Sequence, residues 1–143
     1  MNVRDVMTKD PVCCPVDARL GDVARQMLEH DCGAIPVLGF DGRPVGILTD
    51  RDIVVRAVAE GRNPLECSAR DVMTGDLMTV RPEDDLEEAA EQMQRRQVRR
   101  AVVVDEDGEA CGILAQADIA KHDEDLGGEV VQAVSQEQPS AQH

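Results

Sequence analysis

Aromatic residues are almost absent from this sequence, which has no Trp, no Tyr and a single Phe, Phe40. The chain therefore lacks the aromatic rings on which the bases of single-stranded nucleic acids stack. Basic residues are outnumbered as well, because 15 Lys and Arg stand against 29 Asp and Glu, a formal net charge of −14. A chain of this charge repels phosphate backbones. Both features predict that the protein does not bind nucleic acid.

Long hydrophobic runs are also missing. No apolar stretch approaches the roughly 20 residues that span a membrane, and the N-terminal residues do not have the pattern of a secretory signal. We expect a cytoplasmic protein that does not associate with membranes. Its 143 residues, of which 42% are hydrophobic, suffice for one compact domain or for two half-sized units that share a core.

Metal-ligating and catalytic motifs are lacking too. The five cysteines are an odd number without any C-x-x-C spacing, so we expect reduced thiols rather than disulfides. The three histidines lie neither at zinc-ligand spacing nor in a nucleophile motif. We therefore predict no metal site, no catalytic residues and no required cofactor. Cys13 and Cys14, adjacent on a predicted strand, leave a thiol-based redox or stress sensor as an alternative function.

What the sequence does contain is an internal repeat with a constant offset, which pairs Arg4 with Arg70 and continues without a gap. Of the 51 residue pairs between 3–53 and 69–119, 18 are identical. The repeated segments include Arg-Asp-Val-Met-Thr, which begins at residues 4 and 70, and Gly-Ile-Leu, which begins at residues 46 and 112. We predict one unit over residues 1–62, a second over 63–125, and a C-terminal helix and tail over 126–143.

Each unit has the same predicted order of elements. A short helical opening (3–7; 69–73) precedes a brief strand (12–14; 78–80) and a helix with apolar residues at helical spacing. Two apolar strands follow, joined through Asp-Gly, a hairpin signal, and a second helix covers 49–60 or 116–121. The prediction is an α+β fold of two pseudo-symmetric β-α-β-β-α units packed as one module, because each unit alone is too small for an adequate core.

The segment from Thr49 to Asp52 carries the chemistry of the first unit. Thr49 occupies an N-cap position, and Asp52 lies on the same face of the first helical turn. Helix N-terminal N–H groups attract phosphate, Arg51 adds a cation, and a carboxylate accepts hydrogen bonds from a ribose diol. The alternative is a capping box, in which both side chains only satisfy the helix start. The acid recurs in the second unit as Asp118, although Ala115 replaces the threonine there. This favours the ligand-binding interpretation, because the acid persists without its capping partner.

These openings, hairpins and the Gly-Ile-Leu-Thr-x-Arg-Asp segment resemble tandem cystathionine-β-synthase (CBS) domains, over about residues 3–121. Among such proteins the chain is most similar to small stand-alone CBS pairs, including the hypoxic-response type. The resemblance implies two clefts that accept adenosine-containing ligands such as AMP, ADP, ATP or S-adenosylmethionine. It also implies homodimers in which helices of two modules are in contact.

The resemblance also assigns residues to the two clefts. In the main cleft, Asp52 holds the ribose, Thr49, Arg51 and one of Arg99 or Arg100 meet the phosphate, and Met78, Val98 and Ile47 flank the adenine. The full main set is Ile47, Thr49, Arg51, Asp52, Thr74, Met78, Val98, Arg99 and Arg100. The weaker set is Thr8, Val12, Cys32, Gly33, Ala34, Ile113 and Asp118. Because Ala115 and Ala117 replace Thr49 and Arg51 there, we expect the weaker cleft to bind phosphates poorly.

The favoured function is a non-enzymatic regulatory module that senses an adenine nucleotide and signals by a shift between conformations. The signal would pass through the homodimer or through a separate, unidentified partner protein. A thiol sensor and a nucleotide-free interaction module are the alternatives.

Overall fold

The computed structural model describes residues 1–124, and the predicted C-terminal helix and tail, residues 126–143, lie outside them. In chain order the elements are a 3-10 turn (Val3–Asp5), β1 (Thr8–Lys9), β2 (Cys14–Pro15), α1 (Leu20–His30), β3 (Ala34–Leu38), β4 (Pro44–Thr49), α2 (Asp50–Ile53), α3 (Ala69–Val72), β5 (Thr79–Val80), α4 (Leu86–Arg96), β6 (Arg100–Val104) and β7 (Ala110–Ala115). Residues 116–124 are helical and form α5. None of the helices within residues 1–124 has the length and hydropathy needed to cross a bilayer.

The α+β fold class is confirmed, and the predicted order recurs as β2-α1-β3-β4-α2 and β5-α4-β6-β7-α5. The strands predicted over 12–14 and 78–80 correspond to β2 and β5. Each is two residues long and begins later than predicted. β2 pairs with β3 only through Cys14 with Val37 and Pro15 with Leu38. It lies at the edge of its sheet, and Pro15 has no N–H with which to extend the ladder.

Both predicted hairpins are present. β3 pairs antiparallel with β4, and β6 pairs antiparallel with β7. The glycine of each Asp-Gly connection has a positive φ, +83° at Gly42 and +81° at Gly108. Such angles strain residues that carry a Cβ, so the repeated glycine is what permits both tight connections.

The second helix of the first unit differs from a regular helix over 49–60. Thr49 is the N-cap of α2, and beyond Ile53 the helix continues with π-type hydrogen bonds over Val54–Val58. The N–H of Ala59 donates to the carbonyl oxygen of Val54 at 2.8 Å, a step of five residues. Short π segments inside helices occur frequently at functional sites.

The N-terminal opening segment of each unit packs against the other unit. β1 joins the sheet of the second unit, in the order β1-β7-β6-β5, while the first unit forms the sheet β2-β3-β4. Val3 is buried in the second hydrophobic core, and Ala69 and Val72 are buried in the first. Each core therefore contains residues from both sides of the sequence boundary at 62 and 63, and this exchange holds the units together as one module.

Two equivalent glycines allow the exchanged openings to approach the hairpins. A Cβ on Gly46 would lie 2.6 Å from Met73 Sδ and 2.8 Å from the Thr74 carbonyl oxygen. A Cβ on Gly112 would lie 2.6 Å from Met7 Sδ and 3.0 Å from the Thr8 carbonyl oxygen. Since real Cβ atoms do not approach so closely, the Gly of the repeated Gly-Ile-Leu segment is a packing requirement.

Candidate functional site

A cavity of about 220 Å³ lies where the two units meet. The first unit contributes the end of β4 and the start of α2, and the second contributes the chain before β5 and the start of β6. One part of the lining is apolar and consists of Ile47, Leu77, Met78 and Val98. The polar part consists of Thr49, Asp52, Thr74, Asp76, Gln97, Arg99 and Arg100. An apolar cavity with a few convergent polar groups is the usual form of a small-molecule site.

A second cavity of about 360 Å³ adjoins the first and is strongly polar. It is lined by Thr49, Asp50, Arg51, Gln97, Arg99 and Arg100. Four of these residues also line the first cavity, so the two form one cleft with an apolar inner part and an arginine-rich outer part. A ligand with an apolar ring at one end and anionic groups at the other matches this division.

The structure brings all nine residues of the predicted main cleft to this place. Eight line the inner cavity, and Arg51 lines the outer one. Sequence reasoning missed Asp50, Asp76, Leu77 and Gln97. Gln97 ends α4 in a left-handed conformation with φ +56°, a helix end that is usually occupied by Gly or Asn. That the cleft residues bind a ligand remains a prediction.

Thr49 and Asp52 form the capping box that was the alternative to a ligand role. The N–H of Asp52 donates to Thr49 Oγ1 at 3.1 Å, and the N–H of Thr49 donates to Asp52 Oδ2 at 3.0 Å. Both side chains also line the inner cavity. A carboxylate has about four acceptor positions, so one hydrogen bond to the cap leaves Asp52 able to accept from a ligand. The capping and ligand interpretations are therefore compatible.

The arginines around the outer cavity have no acidic partners within residues 1–124. No carboxylate in that part of the chain lies within 4.0 Å of the guanidinium groups of Arg51, Arg99 or Arg100. The nearby Arg96 differs from them, because its guanidinium group pairs with Asp76 at 3.2 Å. The lining of the outer cavity thus contains three guanidinium groups and one carboxylate, Asp50, so its side chains carry a net positive charge within a chain of net charge −14.

The residues predicted for the weaker cleft lie around the equivalent junction. Thr8 is paired with Ile113, as Thr74 is with Ile47. Ala34 and Ile113 belong to the hydrophobic cluster between the units, and Val12 and Cys32 pack against the first core. The remaining two are Gly33, whose carbonyl oxygen accepts from the N–H of Asp50 at 3.0 Å, and the half-buried Asp118.

The two junctions differ in charge. In the alignment of the two repeats, Arg99 and Arg100 correspond to Gly33 and Ala34, and Arg51 corresponds to Ala117. The equivalence is structural as well, because the N–H of Gln116 donates to the Arg99 carbonyl oxygen at 2.9 Å, as Asp50 does to Gly33. The weaker junction thus has none of the three cations that surround the main cleft.

Four of the five thiols have a raised pKa, which favours their protonated form. Burial and the neighbouring Cys13 raise the pKa of Cys14 to about 11. Burial also raises the pKa of Cys13, Cys32 and Cys111. The thiolate is the reactive species, so these environments oppose the redox-sensor alternative.

Comparison with known proteins places this fold in a family. The profile of the CBS domain matches residues 3–58 and 69–125. The chain is 37% identical over 119 residues to hypoxic response protein 1 of Mycobacterium tuberculosis, covering 83% of this chain and 82% of that protein. It spans only 57% of the uncharacterized protein MK0525 of Methanopyrus kandleri, with 35% identity.

Solved structures agree. The crystal structure of hypoxic response protein I superposes with a TM-score of 0.72 at 36% identity, covering 85% of this chain and 98% of that one. That protein holds two coordinated zinc ions, whereas residues 1–124 of this chain bring no three His, Cys, Asp or Glu side chains together as metal ligands.

A ligand-bound structure is also similar. The CBS domain protein PAE2072 from Pyrobaculum aerophilum, complexed with AMP, matches with a TM-score of 0.71 at 30% identity, covering 82% of this chain and 89% of that one. The family profile, the relatives and the duplicated fold agree over most of the sequence. The chain belongs to the CBS domain family and contains a tandem pair of CBS domains.

Proposed function

We propose that this protein is a regulatory module of the cytoplasm that binds an adenine nucleotide in the main cleft. The observation that carries the proposal is the convergence of Arg51, Arg99 and Arg100, without acidic partners within residues 1–124, beside a cavity that also contains Asp52. Guanidinium groups form charge-assisted hydrogen bonds with phosphate, and Asp52 accepts from the sugar. The AMP complex of PAE2072 supports the same ligand class.

The proposal assigns each part of the nucleotide to a part of the cleft. The base lies against Ile47, Met78 and Val98, the ribose lies at Asp52, and the phosphates extend into the outer cavity. This cleft is lined by both units, so a bound nucleotide stabilises one relative arrangement of them. A change in that arrangement is the signal that a second copy or a partner protein reads.

Exposed valines support a homodimer as part of the proposal. Val54, Val55 and Val58 follow α2 directly, and their exposed fractions are 57%, 44% and 56%. Apolar side chains grouped in this way at the surface are typical of an association site. Light scattering at micromolar concentration tests the assembly, and a monomer would contradict it.

The nucleotide proposal is tested by calorimetric titration of AMP and ATP into the wild type, Asp52→Ala and Asp118→Ala. These acids are equivalent in the repeat, so each variant serves as a control for the other. We expect Asp52→Ala to weaken binding about 10-fold or more, the loss of one hydrogen bond to a charged group, and Asp118→Ala to change it less. Equal losses would refute the site, and no binding to the wild type would favour a nucleotide-free interaction module.

The ligand is identified by a thermal-shift panel of AMP, ADP, ATP, NAD and S-adenosylmethionine. A compound that binds the native state raises the melting temperature, and the increase grows with its concentration relative to its dissociation constant. We expect the phosphorylated compounds to stabilise the protein more than S-adenosylmethionine, because the outer cavity presents cations.

A further inference from the structure

Arg56 contacts residues of both units beside the main cleft, although it is not among the residues that line the cleft. Its Nε lies 3.9 Å from Asp52 Oδ1. Its Nη1 donates to the carbonyl oxygens of Val72 and Met73, both at 3.2 Å. Asp52 belongs to the first unit, whereas Val72 and Met73 end the opening helix of the second. Arg56 therefore connects the acid of the cleft to the segment of the second unit that precedes Thr74.

The segment that Arg56 contacts continues directly into the lining of the inner cavity. Val72 is the last residue of α3, and carbonyl groups at a helix C-terminus lack partners within the helix. Thr74, two residues after Val72, forms two backbone hydrogen bonds with Ile47. Its N–H donates to the Ile47 carbonyl oxygen at 2.9 Å, and its carbonyl oxygen accepts from the Ile47 N–H at 3.0 Å. Thr74 and Ile47 both line the inner cavity. Arg56 thus provides hydrogen bonds to the carbonyl oxygens at the end of α3, immediately before Thr74.

Arg56 also faces the acid, across an ion pair too long for a hydrogen bond. Asp52 Oδ2 is already held by the N–H of Thr49 at 3.0 Å, so Oδ1 is the oxygen that faces Arg56. A guanidinium group presents its N–H donors in a rigid planar arrangement. The Asp52 carboxylate thus has Oδ2 bound to the cap and Oδ1 beside a cation, so Coulombic attraction to Arg56 favours this orientation of the carboxylate.

We propose that Arg56 is a positioning residue for the ribose of the bound nucleotide: it orients Asp52 and aligns it with the wall at Thr74. The inference rests on the proposed function, since it names how that same site recognises a sugar. Arg56 acts through Asp52 and the α3 carbonyls, and it makes no contact with the nucleotide.

The repeat supplies a natural control at position 122. In the alignment of the two repeats, Arg56 corresponds to His122 and Asp52 to Asp118. Nε2 of His122 is buried and forms no hydrogen bond within the described residues. Among the hydrogen bonds of residues 1–124 there is thus no counterpart of the Arg56 bridge at His122, so His122→Ala measures what a change at this helix position does to the fold alone.

The experiment measures dissociation constants of ATP, 2′-deoxy-ATP and 3′-deoxy-ATP by calorimetry for the wild type, Arg56→Ala, Arg56→Lys and His122→Ala. We expect the wild type to prefer ATP over at least one deoxy analogue by about 10-fold, the worth of a hydrogen bond to a charged acceptor. In Arg56→Ala this ratio falls below about 2-fold, because the acid is no longer oriented. Arg56→Lys keeps the charge but not the planar donor set, and its ratio lies between these values. His122→Ala keeps the wild-type ratio.

The ratio separates positioning from a general effect on stability. If Arg56→Ala weakens ATP and both deoxy analogues by the same factor, Arg56 is merely structural and the inference is overturned. An Arg56→Ala variant that binds ATP as tightly as the wild type overturns it as well. The proposed function survives both results and fails only if the wild type binds none of the nucleotides, which also removes the basis of the inference. Arg56 is half exposed, so we expect all variants to fold, and melting curves without ligand check this.

Discussion

The substitution Gly46→Ala tests whether the exchanged opening of the second unit shapes the main cleft. The new Cβ would lie 2.6 Å from Met73 Sδ and 2.8 Å from the Thr74 carbonyl oxygen. The methionine side chain is flexible and moves aside easily. The carbonyl oxygen is backbone, and it accepts from the N–H of Ile47 at 3.0 Å. We therefore expect the bridge between Thr74 and Ile47 to open.

The magnitude follows from the size of the clash. Overpacking by one methyl group destabilises a protein by about 1–3 kcal/mol, and each kcal/mol lowers the melting temperature of a chain of this length by about 2–4 °C. The expected decrease is thus about 2–12 °C. Because Thr74 lines the inner cavity, its displacement also weakens ATP binding, by about 10-fold or about 1.4 kcal/mol.

Gly112→Ala is the matched control. Its Cβ would meet Met7 Sδ at 2.6 Å and the Thr8 carbonyl oxygen at 3.0 Å, so the loss of stability should be similar. The displaced strand borders the weaker junction, and the affinity for ATP should change by less than about 3-fold. Melting curves and calorimetric titration of both variants provide the measurements. Equal losses of affinity would refute the conclusion that Thr74, rather than overall stability, controls the cleft.

Three further predictions concern the thiols, the second opening and the valine surface. With a pKa of about 11, Cys14 at pH 8 is about 0.1% thiolate, roughly 100-fold less than an unperturbed thiol. Iodoacetamide should therefore label Cys14 only after unfolding, as measured by mass spectrometry. Rapid labelling of the native protein would instead support the redox-sensor alternative. The backbone N–H of Ser68, with its hydroxyl and Arg62, lowers the pKa of Asp71, so this carboxylate stabilises the fold above its unfolded pKa and ceases to do so as the pH falls through the folded value. Asp71→Asn should therefore lower the melting temperature by about 1–3 °C at pH 7, and the difference should shrink as the pH falls through the folded pKa of Asp71. A difference that does not change with pH would exclude the ionised form as the cause. Val58→Glu should convert the proposed dimer to a monomer in light scattering, since it places a charge on the exposed valine surface. A variant that still dimerises would show that the interface does not include Val58.

The sequence determined the local elements and the duplication. The constant offset between the repeated segments predicted two equivalent units, and Asp-Gly predicted both hairpins, because a positive φ is a local requirement that glycine satisfies. Thr49 and Asp52 marked the helix start, because capping depends on residues three positions apart. These features are readable from sequence, since each depends on a few neighbouring residues or on a direct comparison of the two halves.

Only the tertiary structure decided which unit each opening packs against. Nothing near residues 3–9 indicates that they join the sheet of the second unit, because that choice depends on burying Val3 in a core whose other buried members run from Met78 to Ile119. For the same reason Asp76, Leu77 and Gln97 joined the cleft without any local motif. The bridging role of Arg56 arises from carbonyl groups of another unit. Long-range packing, rather than periodicity or turn chemistry, therefore placed the walls of the candidate site.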